Sequence, residues 1–216
     1  MALRVLAFLL GFCLAFPAQA QQGGQHFHRH FDGAEKWSKI FDDPARDAWQ
    51  KPDEVIRALA LQPDASVADL GSGTGYFAVR LARALPQGQI YGADVSADMV
   101  KFLNERAAKE KLPNLASHQA GEADARLPAP VDLVLVVDTY HHIAKRSAYF
   151  ERLKAQLKPG GRVAIIDFRP DSPAGPPPEH RTAPETIIAE MDRAGYRLSD
   201  REEFLPRQSF LVFSAR

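Results

Sequence analysis

Residues 67–77 read VADLGSGTGYF. A short apolar run contains Asp69 near its end, and three glycines follow at alternate positions: Gly71, Gly73 and Gly75. A glycine-rich turn after a buried strand lets the backbone approach a ligand at the carboxyl end of that strand. This stretch therefore predicts an α/β sheet with a ligand site at its carboxyl edge.

The rest of the chain alternates between short apolar runs and amphipathic segments. Strands are predicted at 66–70, 89–94, 131–137, 162–168 and 209–214, with a further short strand at 115–120. Helices are predicted to begin at Pro52 and to span 75–85, 97–109, 147–157 and 184–194. Because runs such as VDLVLVVD are apolar on both faces, we expect a doubly wound, mostly parallel sheet with helices on both faces. Residues 170–184, with six prolines, are interpreted as a loop over the carboxyl edge.

The overall composition narrows the class of partner. The chain has 216 residues, 27 basic and 27 acidic side chains, and a formal net charge of zero. Proteins that depend on phosphate contacts usually carry a basic excess, so a nucleic-acid partner is not expected. The chain is long enough for one domain with a sizeable core, which we place at 34–216.

The first twenty residues, MALRVLAFLLGFCLAFPAQA, differ from the rest. Arg4 precedes an apolar run that ends at Phe16, and residues 18–20 fit a small-x-small cleavage site. The run is shorter than the ~20 residues that a membrane span needs. The pattern predicts a signal peptide at 1–20 that is removed after Ala20, and an exported protein, periplasmic or extracellular. The protein would be cytoplasmic if this signal is not used.

Residues 21–33, QQGGQHFHRHFDG, are polar and lack periodicity, which predicts a flexible leader. His26, His28 and His30 alternate there, so they are either solvated or a weak divalent-metal site. The single cysteine, Cys13, lies in the predicted signal, so the mature chain would contain no disulfide and no thiolate site. We predict no metal centre.

The spacing of the glycines indicates which ligand they hold. A dinucleotide fingerprint is GxGxxG, which would require glycine at position 76, where this chain has Tyr76. Asp69 would repel a pyrophosphate and attract a cation. Asp94, at the end of the second predicted strand in IYGADVS, can accept both hydroxyls of a ribose. Together these features favour an adenosine with a positively charged tail, which is S-adenosylmethionine, over NAD.

These motifs resemble those of class I S-adenosylmethionine-dependent methyltransferases, in the type 11-like small-molecule group. VADLGSGTGYF is similar to their first motif and IYGADVSADMV to the second, which places Met99 near the adenine. GEADARLP resembles the third, where either Glu122 or Asp124 would meet the adenine amino group; Asp124 is favoured. LKPGGRVAIIDF resembles the turn and fifth strand. The resemblance implies a seven-stranded sheet with an antiparallel last strand.

The tetrapeptide after the fourth predicted strand bears on the acceptor. It reads Asp138-Thr139-Tyr140-His141 and lacks the prolines of enzymes that methylate amide or nucleobase nitrogen. The pair His141-His142 is similar to one in related small-molecule enzymes. His141 would be a general base, and Tyr140 would shape the methyl site. Alternatively, one or both of His141 and His142 only cap the next helix or pack against Tyr140. Asp138 would orient either His141 or the cofactor ammonium group.

Two functions remain open at this point. The first is methyl transfer to an unidentified small molecule. The second is an exported binding protein that keeps the fold without the reaction, favoured by the signal because the donor is made in the cytoplasm. Trp37, Trp49 and Gln50 are expected either to close the pocket or to pack against the core. Arg181 is expected to form a surface salt bridge or to hold an anionic acceptor.

Overall fold

A computed structural model describes residues 33–216. The predicted signal peptide, leader residues 21–32 and the three alternating histidines lie outside the described residues. The strands are β1 (Ser66–Leu70), β2 (Gln89–Asp94), β3 (Leu115–Gln119), β4 (Val131–Val137), β5 (Leu157–Phe168), β6 (Tyr196–Glu202) and β7 (Gln208–Ala215). The helices are α1 (Ala34–Phe41), α2 (Asp47–Gln50), α3 (Pro52–Ala58), α4 (Tyr76–Ala84), α5 (Ala97–Lys109), α6 (Arg146–Leu153) and α7 (Pro184–Arg193).

The strands form one seven-stranded sheet in the order β3-β2-β1-β4-β5-β7-β6. β1 lies parallel to β2 and β4, whereas β7 lies antiparallel to both β5 and β6. This arrangement confirms the predicted mostly parallel sheet with an antiparallel last strand. The chain leaves β1 toward β2 and β3, and β4 returns to the other side of β1. A crevice therefore forms at the carboxyl ends of β1 and β4, where ligands bind in such sheets.

Each face of the sheet carries its own core. The strand period of two sends Val67 to one face and Ala68 to the other, and both are fully buried. The first face packs against α3, α4 and α5 through side chains such as Leu81 and Leu103. The second packs against α6 and α7 through side chains such as Phe150. Helices thus cover both faces, as the apolar strands predicted.

Helix starts follow local chemistry. Ser96 caps α5 by accepting a hydrogen bond from the N–H of Met99, at 3.4 Å. Proline occupies the first turn of α3 and of α7, where its missing N–H costs no helix bond. Within residues 33–216 no helix is both long enough and apolar enough to cross a membrane.

One missed strand and two shifted boundaries distinguish the structure from the predictions. β6 was missed because only one residue of this edge strand, Tyr196, is buried, so its sequence shows no apolar alternation. β5 begins at Leu157 instead of 162, because the LKPGG segment is already extended and Leu157 pairs with Val131. α6 ends at Leu153, and the next turn tightens into a 3-10 helix over 154–156.

Candidate active site

One cavity of about 590 Å³ opens at the carboxyl ends of the central strands. The loop after β1, the ends of β2 and β4, the segment after β5 and the α1–α2 region all contribute to its wall. Of the predicted site residues, the following line it: Asp69, Gly71, Gly73, Asp94, Met99, Asp138 and His141. The topology therefore brings together residues that lie up to 72 positions apart in the chain.

The glycine turn has the backbone that the sequence predicted. Gly71, Gly73 and Gly75 have φ values of 75°, 51° and 94°, in the left-handed region that favours glycine. A side chain at Gly71 would collide with Thr139, and one at Gly75 would collide with Leu103. The turn therefore packs closely against the end of β4 on one side and α5 on the other. Gly75 begins α4 and does not itself line the cavity.

Asp69 is a buried carboxyl group at the base of the cavity. Its pKa is raised to about 7, chiefly by burial and also by the charge of Asp94, against a hydrogen bond from the Ala78 N–H and the charge of Arg46, which lower it. A carboxyl group with this pKa would ionise more completely beside a bound cation. Asp69 is therefore suited to a positively charged ligand.

Asp94 connects the end of β2 with the glycine turn. Its carboxylate accepts hydrogen bonds from the N–H of Gly73, at 2.8 Å, and of Ser96, at 2.9 Å. Burial raises the pKa of Asp94, and these backbone donors act against the increase. The carboxylate is thus held in place at the cavity wall with acceptor capacity left for a polar ligand.

The walls beside Asp94 carry unsatisfied polar atoms. Ser72 Oγ and Thr74 Oγ1 are buried and line the cavity, and neither hydroxyl has a hydrogen-bond partner among the described residues. Buried hydroxyl groups normally find a partner, so these two fit a polar ligand in the cavity. Met99 and Glu122 line the same region. The residues present therefore fit an adenosine-type cofactor.

The third motif requires a correction. Asp124 was favoured over Glu122 for the adenine contact, but Asp124 does not line the cavity and Glu122 does. The Asp124 carboxylate accepts from the N–H of Arg126, at 3.0 Å, and from Nε2 of Gln156, at 2.7 Å. Its pKa is lowered by these hydrogen bonds, that of Arg126 first. The Asp124 carboxylate therefore stabilises its own loop.

His141 forms a buried pair with a residue that the sequence analysis did not single out. Its Nδ1 lies 2.9 and 3.0 Å from the two carboxylate oxygens of Asp167, which is fully buried at the end of β5. The same carboxylate accepts the backbone N–H groups of His141 and Phe168. Since both oxygens act as acceptors, Nδ1 carries the hydrogen and Nε2 is the basic nitrogen.

The pair also sets the protonation of the imidazole. Burial lowers the pKa of His141, but the hydrogen bond from Nδ1 to Asp167 and the charges of Asp167 and Asp138 outweigh it and raise the pKa above the ordinary 6.5. Asp138 was expected to orient His141; the structure gives that contact to Asp167. An acidic residue at the end of a buried strand, as in VAIID, was the available signal.

Tyr140 does not reach the cavity, which corrects its prediction as a catalytic residue. The side chain is fully buried and stacks on Phe150, with ring centroids 5.5 Å apart. Its hydroxyl donates to Glu190 on α7 at 2.6 Å, and Arg146 binds the same carboxylate at 2.7 Å. Burial and then Glu190 raise the pKa of Tyr140. Tyr140 therefore joins α6 and α7 to the sheet.

Asp138 belongs to a closed ring of hydrogen bonds. Arg46 donates to Asp138 at 3.1 Å and to Gln50 at 3.1 Å, Gln50 donates to Gln208 at 2.7 Å, and Gln208 donates back to Asp138. Burial raises the pKa of Asp138 to about 6, and the charge of Arg46 opposes this. Gln50 is fully buried in this ring and does not line the cavity, contrary to one of its two expected roles.

Aromatic side chains from the α1–α2 region form part of the cavity wall. Trp37 and Trp49 both line it and are half-buried. Trp49 packs against Phe168, with centroids 5.6 Å apart. The proline-rich loop contributes residues 175–177, and Arg181 holds that loop by donating to three of its carbonyl oxygens. Arg181 is thus neither a salt-bridge residue nor a cavity residue here.

No group of three or more metal-binding side chains occurs within residues 33–216.

An α/β sheet with a glycine turn after β1, an acid at the end of β2 and a ligand cavity at the switch point defines the class of nucleotide-cofactor proteins with a Rossmann-like fold. The methyltransferase domain family matches residues 61–197, well over half of the chain. The chain belongs to this family, which confirms that the motifs are those of a methyltransferase domain.

Individual relatives are consistent with this assignment. The chain is 31% identical over 135 residues to trans-aconitate 2-methyltransferase of Rhodopseudomonas palustris (strain BisB18), covering 61% of this chain and 48% of that protein. It is 31% identical over 127 residues to 27-O-demethylrifamycin SV methyltransferase of Amycolatopsis mediterranei, covering 57% and 46%. The chain therefore spans about half the length of the curated relatives that it matches.

A solved structure agrees over more of the fold. A SAM-dependent methyltransferase from Aquifex aeolicus superposes with a TM-score of 0.78 at 26% identity, covering 85% of this chain and 99% of that one. The sheet, the glycine turn and the antiparallel last strand are thus those of the methyltransferase fold.

Proposed function

We propose that this protein is an S-adenosylmethionine-dependent methyltransferase that acts on a small molecule. The observation that carries the proposal is that one cavity is lined both by the cofactor-type wall, with its glycine turn, Asp69 and Asp94, and by His141, which the buried Asp167 holds through Nδ1. The relatives whose names describe methyl transfer to trans-aconitate and to a demethylrifamycin, together with the SAM-dependent structural neighbour, support it.

The chain's own residues would hold the cofactor by complementary charge and hydrogen bonding. Asp94 would accept the ribose hydroxyl groups, and Asp69 would face the positively charged amino-acid end. Glu122 and Met99 would lie on the adenine side, and the hydroxyl of Ser72 or Thr74 would gain the partner that it lacks. When bound, the cofactor supplies an activated methyl group, so the protein mainly has to position the acceptor and exclude water.

His141 would remove the acceptor's proton. Because Nδ1 donates to Asp167, Nε2 can take a proton from a hydroxyl group placed in the cavity. The resulting imidazolium would be stabilised by the buried carboxylate of Asp167, which acts as a positioning residue and does not itself contact the acceptor. Asp138, engaged with Arg46 and Gln208, would keep the floor of the site rigid.

Calorimetry with S-adenosylmethionine and NAD tests the cofactor assignment. Asp94→Ala removes the carboxylate that would bind the ribose, and hydrogen bonds to charged groups contribute about 1.5–3 kcal/mol each, so binding should weaken at least roughly tenfold. The exposed Asp64→Ala variant is the control and should bind like the parent protein. Binding of NAD but not of S-adenosylmethionine would overturn the proposal, and unchanged affinity of Asp94→Ala would remove that residue from the site.

We also propose export, supported only by the composition of residues 1–20. The apolar run, the preceding Arg4 and the small residues at 18 and 20 have the pattern of a cleaved secretory signal. An exported methyltransferase would meet its acceptor outside the cytoplasm.

A further inference from the structure

The cavity that His141 lines also has aromatic residues in its wall. Phe168 directly follows Asp167, and its backbone N–H donates to that carboxylate at 2.8 Å. The Phe168 side chain and His141 line the same cavity. Trp49 packs on Phe168, and Gly175 lies so close to the Phe168 ring that a side chain there would collide with it. Flat, apolar surfaces therefore line the same cavity as the histidine that would take the proton, and they favour a flat, apolar acceptor.

The charged side chains of the cavity are mostly acidic. Asp69, Asp94, Glu122 and Asp138 line it, whereas Arg46 is the one Lys or Arg side chain among its described lining residues. Arg46 is already engaged: it donates to Asp138, to Gln50 and to the backbone oxygen of Phe41, at 2.9 to 3.1 Å. A carboxylate in this cavity would meet these acidic side chains, which is unfavourable at short range, and the one Lys or Arg side chain of the described lining is already paired.

The mouth of the cavity is apolar as well. Among the described residues, Ile40, Val95 and Leu198 are the large hydrophobic side chains that remain exposed, at 57%, 55% and 38%. Two of these, Ile40 and Val95, line the cavity, and the half-buried Trp37 lies one helical turn from Ile40. Exposed apolar side chains grouped at a cavity mouth indicate a surface that binds an apolar ligand.

We propose that the acceptor is an uncharged aromatic alcohol, a phenol- or naphthol-type hydroxyl compound, and not a carboxylic acid. This inference rests on the proposed methyltransferase function. The acceptor oxygen would form a bond to the methyl carbon while the bond from that carbon to the sulfonium sulfur breaks. The bonding pair stays on sulfur, which becomes a neutral thioether, and the hydroxyl proton goes to Nε2 of His141.

The test compares two probes of the same ring system, 2-naphthol and 2-naphthoate, with trans-aconitate as a polycarboxylate. The chain contains two tryptophans, and both line the cavity, so quenching of their fluorescence reports occupancy directly. Binding is measured on the full protein with S-adenosylhomocysteine present, and methylated products are sought by mass spectrometry with S-adenosylmethionine. We expect 2-naphthol to bind at least roughly tenfold more tightly than 2-naphthoate and to yield its methyl ether.

Substitutions that add a charge at the cavity mouth test whether the charge of the wall discriminates against an anionic acceptor. Ile40 is exposed, so Ile40→Lys and Ile40→Glu should both fold. Relative to 2-naphthol, binding of 2-naphthoate should improve about threefold to tenfold in Ile40→Lys and weaken in Ile40→Glu, because a nearby charge acts on the anion only. Leu198→Lys places the same charge on an exposed apolar position of β6 that does not line the cavity, and it should change neither probe's affinity.

The outcomes distinguish an error in the acceptor class from an error in the proposed methyltransferase function. Equal or tighter binding of 2-naphthoate or trans-aconitate, or their methylation in preference to 2-naphthol, would overturn the acceptor class while leaving the methyltransferase intact. Tight binding of 2-naphthol without bound cofactor and without any methylated product would instead refute the proposed function and leave a binding protein for aromatic alcohols.

Discussion

At the scale of single residues, the central feature is the way in which the protein prepares one histidine. A solvated imidazole titrates near 6.5 and can adopt either tautomer. Here Asp167 removes that freedom by accepting from Nδ1, and it supports the charged form strongly enough to offset burial. His141 therefore has one basic nitrogen, Nε2, and holds a proton more firmly than a solvated histidine does.

This pair predicts a specific dependence of activity on pH. A base must be neutral to act, and a raised pKa means that His141 becomes neutral only at higher pH. The turnover rate should therefore rise with pH, with a midpoint above the ordinary 6.5 of histidine. In Asp167→Asn the charge that raises the pKa is lost and only a neutral amide oxygen remains to accept from Nδ1, while burial is unchanged, so the midpoint should move to lower pH.

Rates separate the chemical role of His141 from a structural one. His141→Ala should lower turnover by the ~10²–10⁴-fold of a lost general base while the affinity for S-adenosylmethionine, measured by calorimetry, stays nearly unchanged. The structural control is Asp124→Asn, on a carboxylate that holds its own loop outside the cavity, and its pH profile should match that of the parent protein. A pH profile that Asp167→Asn leaves in place would show that the pair only supports the fold.

At the scale of elements, the segment from α1 to α2 covers the cofactor cavity and is joined to the sheet by polar contacts. Arg46 stacks on the Tyr76 ring with its guanidinium carbon 4.0 Å from the centroid, and Arg80 lies at 4.0 Å from the same ring. The ring of hydrogen bonds through Gln50, Gln208 and Asp138 then ties this segment to the ends of β4 and β7. The segment from α1 to α2 is thus held to the sheet by a network of hydrogen bonds.

Breaking this network at one member should be costly. Gln208→Leu removes both the acceptor of Gln50 and a donor to Asp138, and each buried polar group left without a partner costs about 1–3 kcal/mol. We expect a loss of roughly 2–4 kcal/mol in the free energy of unfolding, measured by urea denaturation. The matched change at an exposed glutamine, Gln87→Leu, should stay within about 0.5 kcal/mol. Equal effects of the two substitutions would mean that the ring contributes nothing to stability.

At the scale of the whole molecule, the prediction concerns where the protein works. Expression of the full chain in a Gram-negative host should yield a mature protein that begins near Gln21 in the periplasmic fraction, as intact mass will show. Leu10→Arg places a charge in the apolar run that a secretory signal needs, so this variant should keep Met1 and remain in the cytoplasm. The parent protein found only at full length in the cytoplasm would contradict export.

The local sequence pattern alone predicted the central strands and the position of the cofactor side of the cavity. Short apolar runs buried on both faces predicted all of the central strands, because burial on both sides leaves a continuous apolar signal in the sequence. The glycines of VADLGSGTGYF and the acid Asp94 predicted the cofactor side of the cavity, because positive φ values and an acid at a strand end are properties of single positions. The edge strand β6 has neither kind of signal, and it was missed.

The tertiary structure decided which side chains meet. The sequence places Tyr140 and His141 next to each other, but the 3-10 turn over 140–142 sends one into the core beside Glu190 and the other to the cavity. Asp167 is 26 residues from His141, and only the parallel pairing of β4 with β5 brings them together. Long-range partners such as these depend on strand order and side-chain direction, which a linear pattern does not contain.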